Sequence, residues 1–375
     1  MKIKILIIAL FALVSCKEKK KETVVESEEI TPVQKFYVGT YTGEDSKGIY
    51  RYALHADGSL EQIGLSSVSN NPSFLIKSSD GNYLIAVNEL DEDGTGYVES
   101  FKVEGDKLQS LSKSISGGAH PCHIVVTKGG HILVSNYTGG NVGLLKLDAT
   151  GKLSDLLFLE EHTGNEKIEG QDVSHAHSAQ FYGDGKDILV ADLGTNELWF
   201  STLDTESNKL VSAKPQKLLM EKGAGPRHTV FHPNQKWLYV VNELNATITR
   251  VAKNKNGFFG KKESISTLPE GYNEDNFCAD IHISSDGKFV YASNRGHNSI
   301  GIFSVNQKTG ELSSVGNEST RGDWPRNFSL SPNGDFLLVA NQNTNNIVSF
   351  KRNSETGLLT FVAEIEAPKP VCILF

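Results

Sequence analysis

The chain is poor in sulfur, with 4 cysteines and 2 methionines in 375 residues. Cys122, Cys278 and Cys372 lie in apolar stretches; an odd number cannot complete a disulfide framework, so they read as small buried thiols. Several motifs are absent. There is no Gly-x-Ser-x-Gly elbow, no His-Glu-x-x-His, no P-loop and no dinucleotide glycine fingerprint, so none of those chemistries is signalled. No basic stripe interleaved with aromatics suggests a nucleic-acid partner. The net charge of -8 says little about a substrate, because a local basic pocket can sit in an acidic protein.

Long hydrophobic runs are also missing. The one apolar run, Ile5 to Val14, is too short to span a bilayer. It follows Lys2 and Lys4 and leads into Leu13-Val-Ser-Cys16, the layout of a signal peptide over residues 1–15. Leu-Val-Ser-Cys resembles a bacterial lipobox, which would place a lipid on Cys16 after cleavage; an ordinary secretory signal is the alternative. Loss of Lys2 and Lys4 would move the formal charge to about -10. Residues 16–33 are rich in Lys and Glu and too poor in apolar side chains to bury a core, so a solvated tether is expected. The protein is thus expected to be exported, periplasmic or on the outer membrane. It would touch a membrane only through its lipid. Nothing in the sequence sets an oligomeric state.

What is abundant is repetition. His175-Ala-His-Ser-Ala-Gln-Phe, followed by Leu-Val-Ala-Asp192, returns in altered form along almost the whole chain. Its counterparts are Asn71-Pro-Ser with Val-Asn88, His120-Pro-Cys with Ser-Asn136, and Gly225-Pro-Arg with Val-Asn242. Two more are Cys278-Ala-Asp with Ser-Asn294 and Trp324-Pro-Arg with Ala-Asn341. A period of roughly 45–55 residues marks a propeller or solenoid. Each repeat carries a turn such as Ser79-Asp-Gly or Pro332-Asn-Gly, then a second such as Asp57-Gly-Ser or Thr309-Gly-Glu, so four short antiparallel strands form one blade. Lys369-Pro-Val-Cys-Ile-Leu-Phe375 matches only a first strand, and Phe36-Tyr-Val-Gly-Thr40 a second strand with none before it. The two ends would share one blade. The expectation is all-β: a seven-bladed β-propeller over residues 34–375, closed by N- and C-terminal strands together.

Equivalent positions of a propeller surround one channel, so the chemistry sits where a column varies in polarity. The residue after the first-strand proline (or its alanine substitute) is Ser73, Cys122, His177, Arg227, Asp280, Arg326 or Val371. The residue after the Asn or its equivalent that ends the second strand is Tyr41, Glu89, Tyr137, Leu193, Glu243, Arg295 or Gln342. Arginines there can hold a carboxylate, a phosphate or a developing oxyanion, while His177 and Glu243 supply acid/base groups. The plain alternative is that Arg and Glu form structural ion pairs across blades. Metal is disfavoured because the arginines would repel a cation, and no cofactor is called for. His123 and His228 fall one position on, where alternation sends them to the other face. His175 could orient His177, and His297 lies near Arg295. His55, His131 and His162 read as solvated, and His232 as structural.

The phrases Tyr37-Val-Gly-Thr-Tyr-Thr, His120-Pro-Cys-His, Ser174-His-Ala-His-Ser, Gly225-Pro-Arg-His-Thr, Val241-Asn-Glu-Leu and Ser293-Asn-Arg-Gly-His resemble, in order, the seven-bladed lactonase family. That family contains propeller-type 6-phosphogluconolactonases and fungal carboxy-muconate cyclising enzymes. The resemblance covers residues 34–375. It implies catalytic roles for His177, Arg227, Glu243 and Arg295, the four that the columns also select. Arg326, His123, His228, Glu89 and His297 are the expected substrate-binding residues. The implied reaction is metal-independent hydrolysis of a small anionic sugar lactone such as 6-phosphoglucono-1,5-lactone. Cyclisation of a dicarboxylate, or binding without catalysis, are the alternatives. An exported chain fits an unphosphorylated lactone better.

Overall fold

The computed structural model describes residues 33–43 and 45–375. The expected signal segment, Cys16 and the tether up to residue 32 lie outside them. Turn glycines and asparagines cut the chain into short strands, and the second strand of most blades is apolar on both faces while the outermost is largely polar. The result is seven sheets of four antiparallel strands, with no helix among the described residues. Blades 1 to 6 begin with inner strands Leu75–Lys77, Pro121–Val126, Ala176–Tyr182, Pro226–Phe231, Phe277–Ile283 and Pro325–Leu330. Blade 7 takes its inner strand, Pro370–Leu374, from the C-terminus and its others, Gln34–Thr40, Gly48–Leu54 and Leu60–Val68, from the N-terminal side. Closure by both ends is thus observed.

The core lies between blades. In the second strand of blade 4, Tyr239 and Val241 pack into blade 5 beside Ile281 and Val290. The intervening Leu238 and Val240 pack into blade 3 beside Leu189 and Ala191. Both faces of each sheet are covered, which is why these strands read as continuous apolar runs rather than alternating ones. The asparagines ending the second strands are buried and pin connecting loops: Asn136 Nδ2 donates to Ser116 O, Asn294 Nδ2 to Thr267 O and Asn341 Nδ2 to Thr320 O.

Blade 3 has Asp192 at that position, and its Oδ2 is 2.7 Å from His162 Nδ1. His162 stacks on Trp199 and is 4% exposed, so the expected solvated histidine is instead a core residue paired with a buried carboxylate. His131 is also buried, its Nε2 2.9 Å from Asn208 Oδ1. Turn neighbours in sequence misled both assignments, because an adjacent blade covers these turns. The three cysteines are free and buried, as expected.

Candidate active site

Each inner strand but that of blade 1 breaks its pairing where the channel column falls. Pro121 pairs with Asn136 and His123 with Ser135, leaving Cys122 out; Pro226 pairs with Asn242 and His228 with Val241, leaving Arg227 out. The break recurs at His177, Arg326 and Val371, and spans Ala279 and Asp280 in blade 5. Such a bulge bends the strand and re-aims its side chains. It overturns the alternation expected of His123 and His228. The His228 ring centre lies 5.3 Å from that of His123 and 5.2 Å from that of His177, so all three histidines meet at the channel.

Glu243 holds two arginines together. Its Oε2 accepts from Arg227 Nε at 2.8 Å and its Oε1 lies 3.0 Å from Arg295 Nη2. Arg227 Nη1 also donates to Ala279 O and lies 3.2 Å from His228 Nε2. Arg295 donates to Phe277 O and Cys278 O and sits 5.2 Å from the Trp324 ring centre. Trp324 holds φ of 65°, costly for a bulky residue, and thereby places its indole against that guanidinium. Arg227 Nη2 and Arg295 Nη1 make no hydrogen bond among the described residues.

His177 is 4% exposed; its Nδ1 faces the Cys122 thiol at 3.8 Å, and its ring meets Tyr137 edge-on. Its Nε2 makes no hydrogen bond among the described residues. His175 stacks on the other side of this arrangement, against Tyr137, with Nδ1 3.0 Å from Tyr137 O. Opposite, Arg326 Nη2 lies 3.7 Å from Glu89 Oε1, which accepts from Tyr41 OH at 2.8 Å. Ser73, Cys122, Arg227, His228 and Arg326 line one small void of about 10 Å³, room for a single water molecule rather than a sugar. Larger clefts, including one of about 540 Å³ beside Tyr50 and Glu366, lie away from these groups.

The electrostatics follow from burial inside a cationic ring. Burial, then Arg227, His228 and the other arginines, hold His177 well below the usual imidazole range, so it is neutral at pH 7. His228 falls to about 4, from burial first and Arg227 second, although its Nδ1 lies 2.8 Å from Asp280 Oδ1. Burial alone would raise Glu243; Arg295, Arg227 and Arg326 outweigh it and keep the carboxylate ionised. Burial and then Arg295 lower Arg227 to about 10, still charged. Burial pushes the Cys122 thiol to about 12, which makes it an inert wall.

His297 is the candidate the fold keeps apart: its Nδ1 pairs with Ser299 Oγ at 2.7 Å and its ring meets Tyr272. Sequence reasoning passed over Asp280, Tyr41, Ser73, Tyr137 and Trp324. Four of these stand in the two columns, and weighting by charge hid the neutral ones. Asp280 accepts from Ile281 N and Asn327 Nδ2 and lies 3.0 Å from His282 Nε2. Among the described residues no three His, Cys, Asp or Glu side chains converge as a metal-ligand set.

The sequence profile described as lactonase, 7-bladed beta-propeller, matches residues 35–375. A 6-phosphogluconolactonase of Bacillus subtilis is 33% identical over 345 residues, 90% of this chain and 97% of that protein. A 6-phosphogluconolactonase of Formosa agariphila is 37% identical over 307 residues, 78% of this chain and 85% of that protein. The solved structure of a Pseudomonas aeruginosa periplasmic gluconolactonase superposes with a TM-score of 0.87 at 29% identity, covering 91% of this chain and 98% of that one. The chain belongs to the seven-bladed β-propeller lactonase family.

Proposed function

We propose that the protein hydrolyses a six-membered sugar lactone, 6-phosphoglucono-1,5-lactone or its unphosphorylated counterpart, to the open aldonic acid. The observation that carries this is the Glu243 bridge, which fixes two arginines while leaving Arg227 Nη2 and Arg295 Nη1 without partners among the described residues. Donors held in place before reaction stabilise charge as it develops on a carbonyl oxygen. Both Glu243 oxygens are occupied, so Glu243 acts as the orienting anion. His177, neutral and with Nε2 open, is the group left to take a proton. Water attacks the lactone carbon as His177 Nε2 accepts its proton. The oxyanion forms against the arginines, the ring C–O bond then breaks, and the imidazolium returns the proton to the departing ring oxygen. The weak basicity of His177 is offset by the two guanidinium groups.

The full chain should turn over a gluconolactone above the spontaneous rate. His177→Ala should lower kcat on the order of 10²-fold or more, and Glu243→Gln should impair turnover by releasing the arginines. Full activity in both folded variants would sink the reading. No turnover of any lactone would favour a binding propeller. The periplasmic relative supports export, and attachment through a lipid on Cys16 belongs to the same proposal. Metabolic labelling with a radioactive fatty acid should mark the chain and fail to mark Cys16→Ser; equal labelling of both excludes that site.

A further inference from the structure

We infer that the Glu89, Arg326 and Tyr41 side of the channel takes an uncharged, polyhydroxylated end of the lactone rather than a phosphate, an inference that rests on the lactonase reading. That side of the channel holds polar groups that still need hydrogen bonds. Glu89 Oε1 is taken by Tyr41 OH at 2.8 Å, but Oε2 is buried and has no partner among the described residues, so it requires a donor. Arg326 makes no hydrogen bond among the described residues; its nearest anionic oxygen is Glu89 Oε1 at 3.7 Å, so it offers donors. Ser73 Oγ also lacks a partner among the described residues, but it faces the one-water void and is left to a water molecule. In blade 6, Gln342 Oε1 is a further buried acceptor with no partner.

A hydroxyl group both donates and accepts, so neighbouring hydroxyls of a sugar acid can serve Glu89 and Arg326 together. A phosphate dianion carries acceptors only. It could use Arg326, but it would meet the Glu89 carboxylate and leave Oε2 buried without a donor, and each effect is unfavourable. The charge distribution agrees. Arg326 and Glu89 cancel, whereas Arg227 and Arg295 against Glu243 leave one surplus positive charge where the oxyanion would form. Both sides face one channel: Arg326, Glu89 and Glu243 each keep part of the side chain exposed, and the Arg326 charge bears on His177 and Glu243.

The test is kcat/KM of the full chain for glucono-1,5-lactone and for 6-phosphoglucono-1,5-lactone, each corrected for spontaneous opening. The unphosphorylated lactone should be favoured by roughly tenfold or more, as expected when a site holds groups that only a hydroxyl satisfies. Glu89→Gln should move that ratio toward the phosphorylated lactone by removing the opposing charge. A wild-type preference for the phosphorylated lactone overturns the inference and leaves the lactonase reading standing; turnover of neither overturns both. If Glu89→Gln loses its melting transition, Arg326→Gln takes its place. It should raise KM for the unphosphorylated lactone more than it lowers kcat, and an unchanged KM counts against the inference.

Discussion

His228 shows how a single side chain registers the whole ring. Its Nδ1 faces Asp280 and its Nε2 faces Arg227 Nη1, so the aspartate fixes the tautomer that leaves Nε2 to accept from the arginine. Burial and Arg227 depress its folded pKa to about 4, below the ordinary 6.5. The unfolded chain therefore binds the extra proton first, and stability present above pH 6.5 is lost as pH falls toward 4. His123 and His177, also depressed, act in the same direction. His282, whose pKa Asp280 raises against burial, is already protonated in both states below 6.5 and does not offset the loss. Denaturant midpoints at decreasing pH should thus fall, as the unfolding free energy drops by on the order of 2 kcal/mol across that window. His228→Gln should flatten the slope, and a pH-independent wild-type midpoint would contradict the assignment. The sequence named His228 but sent it to the wrong face, because strict alternation assumes an unbroken ladder and the ladder is bulged at Arg227.

At the scale of the blade, the outer turn does more than reverse the chain. Gly310, in the turn Thr309-Gly-Glu of blade 5, holds φ of 79° and lies flat on the Trp237 ring of blade 4. Gly58, in the matching turn of blade 7, lies in the same way on Phe336 of blade 6. The turn signal was legible, since glycine tolerates that backbone region. The aromatic seat was not, because it comes from a neighbouring repeat distant in sequence. A side chain at 310 meets both penalties. Gly310→Ala should cost about 2–3 kcal/mol in unfolding free energy, from the left-handed backbone and the displaced indole. A midpoint within error of wild type would show that the seat is not tight. Activity should persist in the folded fraction, since this turn is remote from the channel.

For the molecule as a whole, ring closure decides where the site can be. Blade 7 pairs Val38 with Ile373 and Gly39 with Cys372, so residues from the two ends of the sequence become neighbours and no sheet edge faces an unclosed gap. Closure also brings Tyr41 beside Glu89 and Arg326, residues from blades 7, 1 and 6. Blades 3, 4 and 5 supply His177, Arg227, Glu243 and Arg295 on the other side. The charge stabilisation and the recognition proposed for the two sides would thereby face each other across one channel.

The sequence by itself determined the repeat, the strand count per blade, the shared last blade and the columns that carry His177, Arg227, Glu243, Arg295, Glu89 and Arg326. These follow from local periodicity and turn chemistry, which each segment expresses alone. Only the tertiary structure decided the rest. The Glu243 bridge, the inward turn of His123 and His228, the separation of His297, the burial of His162 against Asp192 and the missing partner of Glu89 Oε2 all depend on groups far apart in the chain. Side-chain pairing across blades is set by ring geometry and bulged register, and neither leaves a trace in the spacing of one repeat.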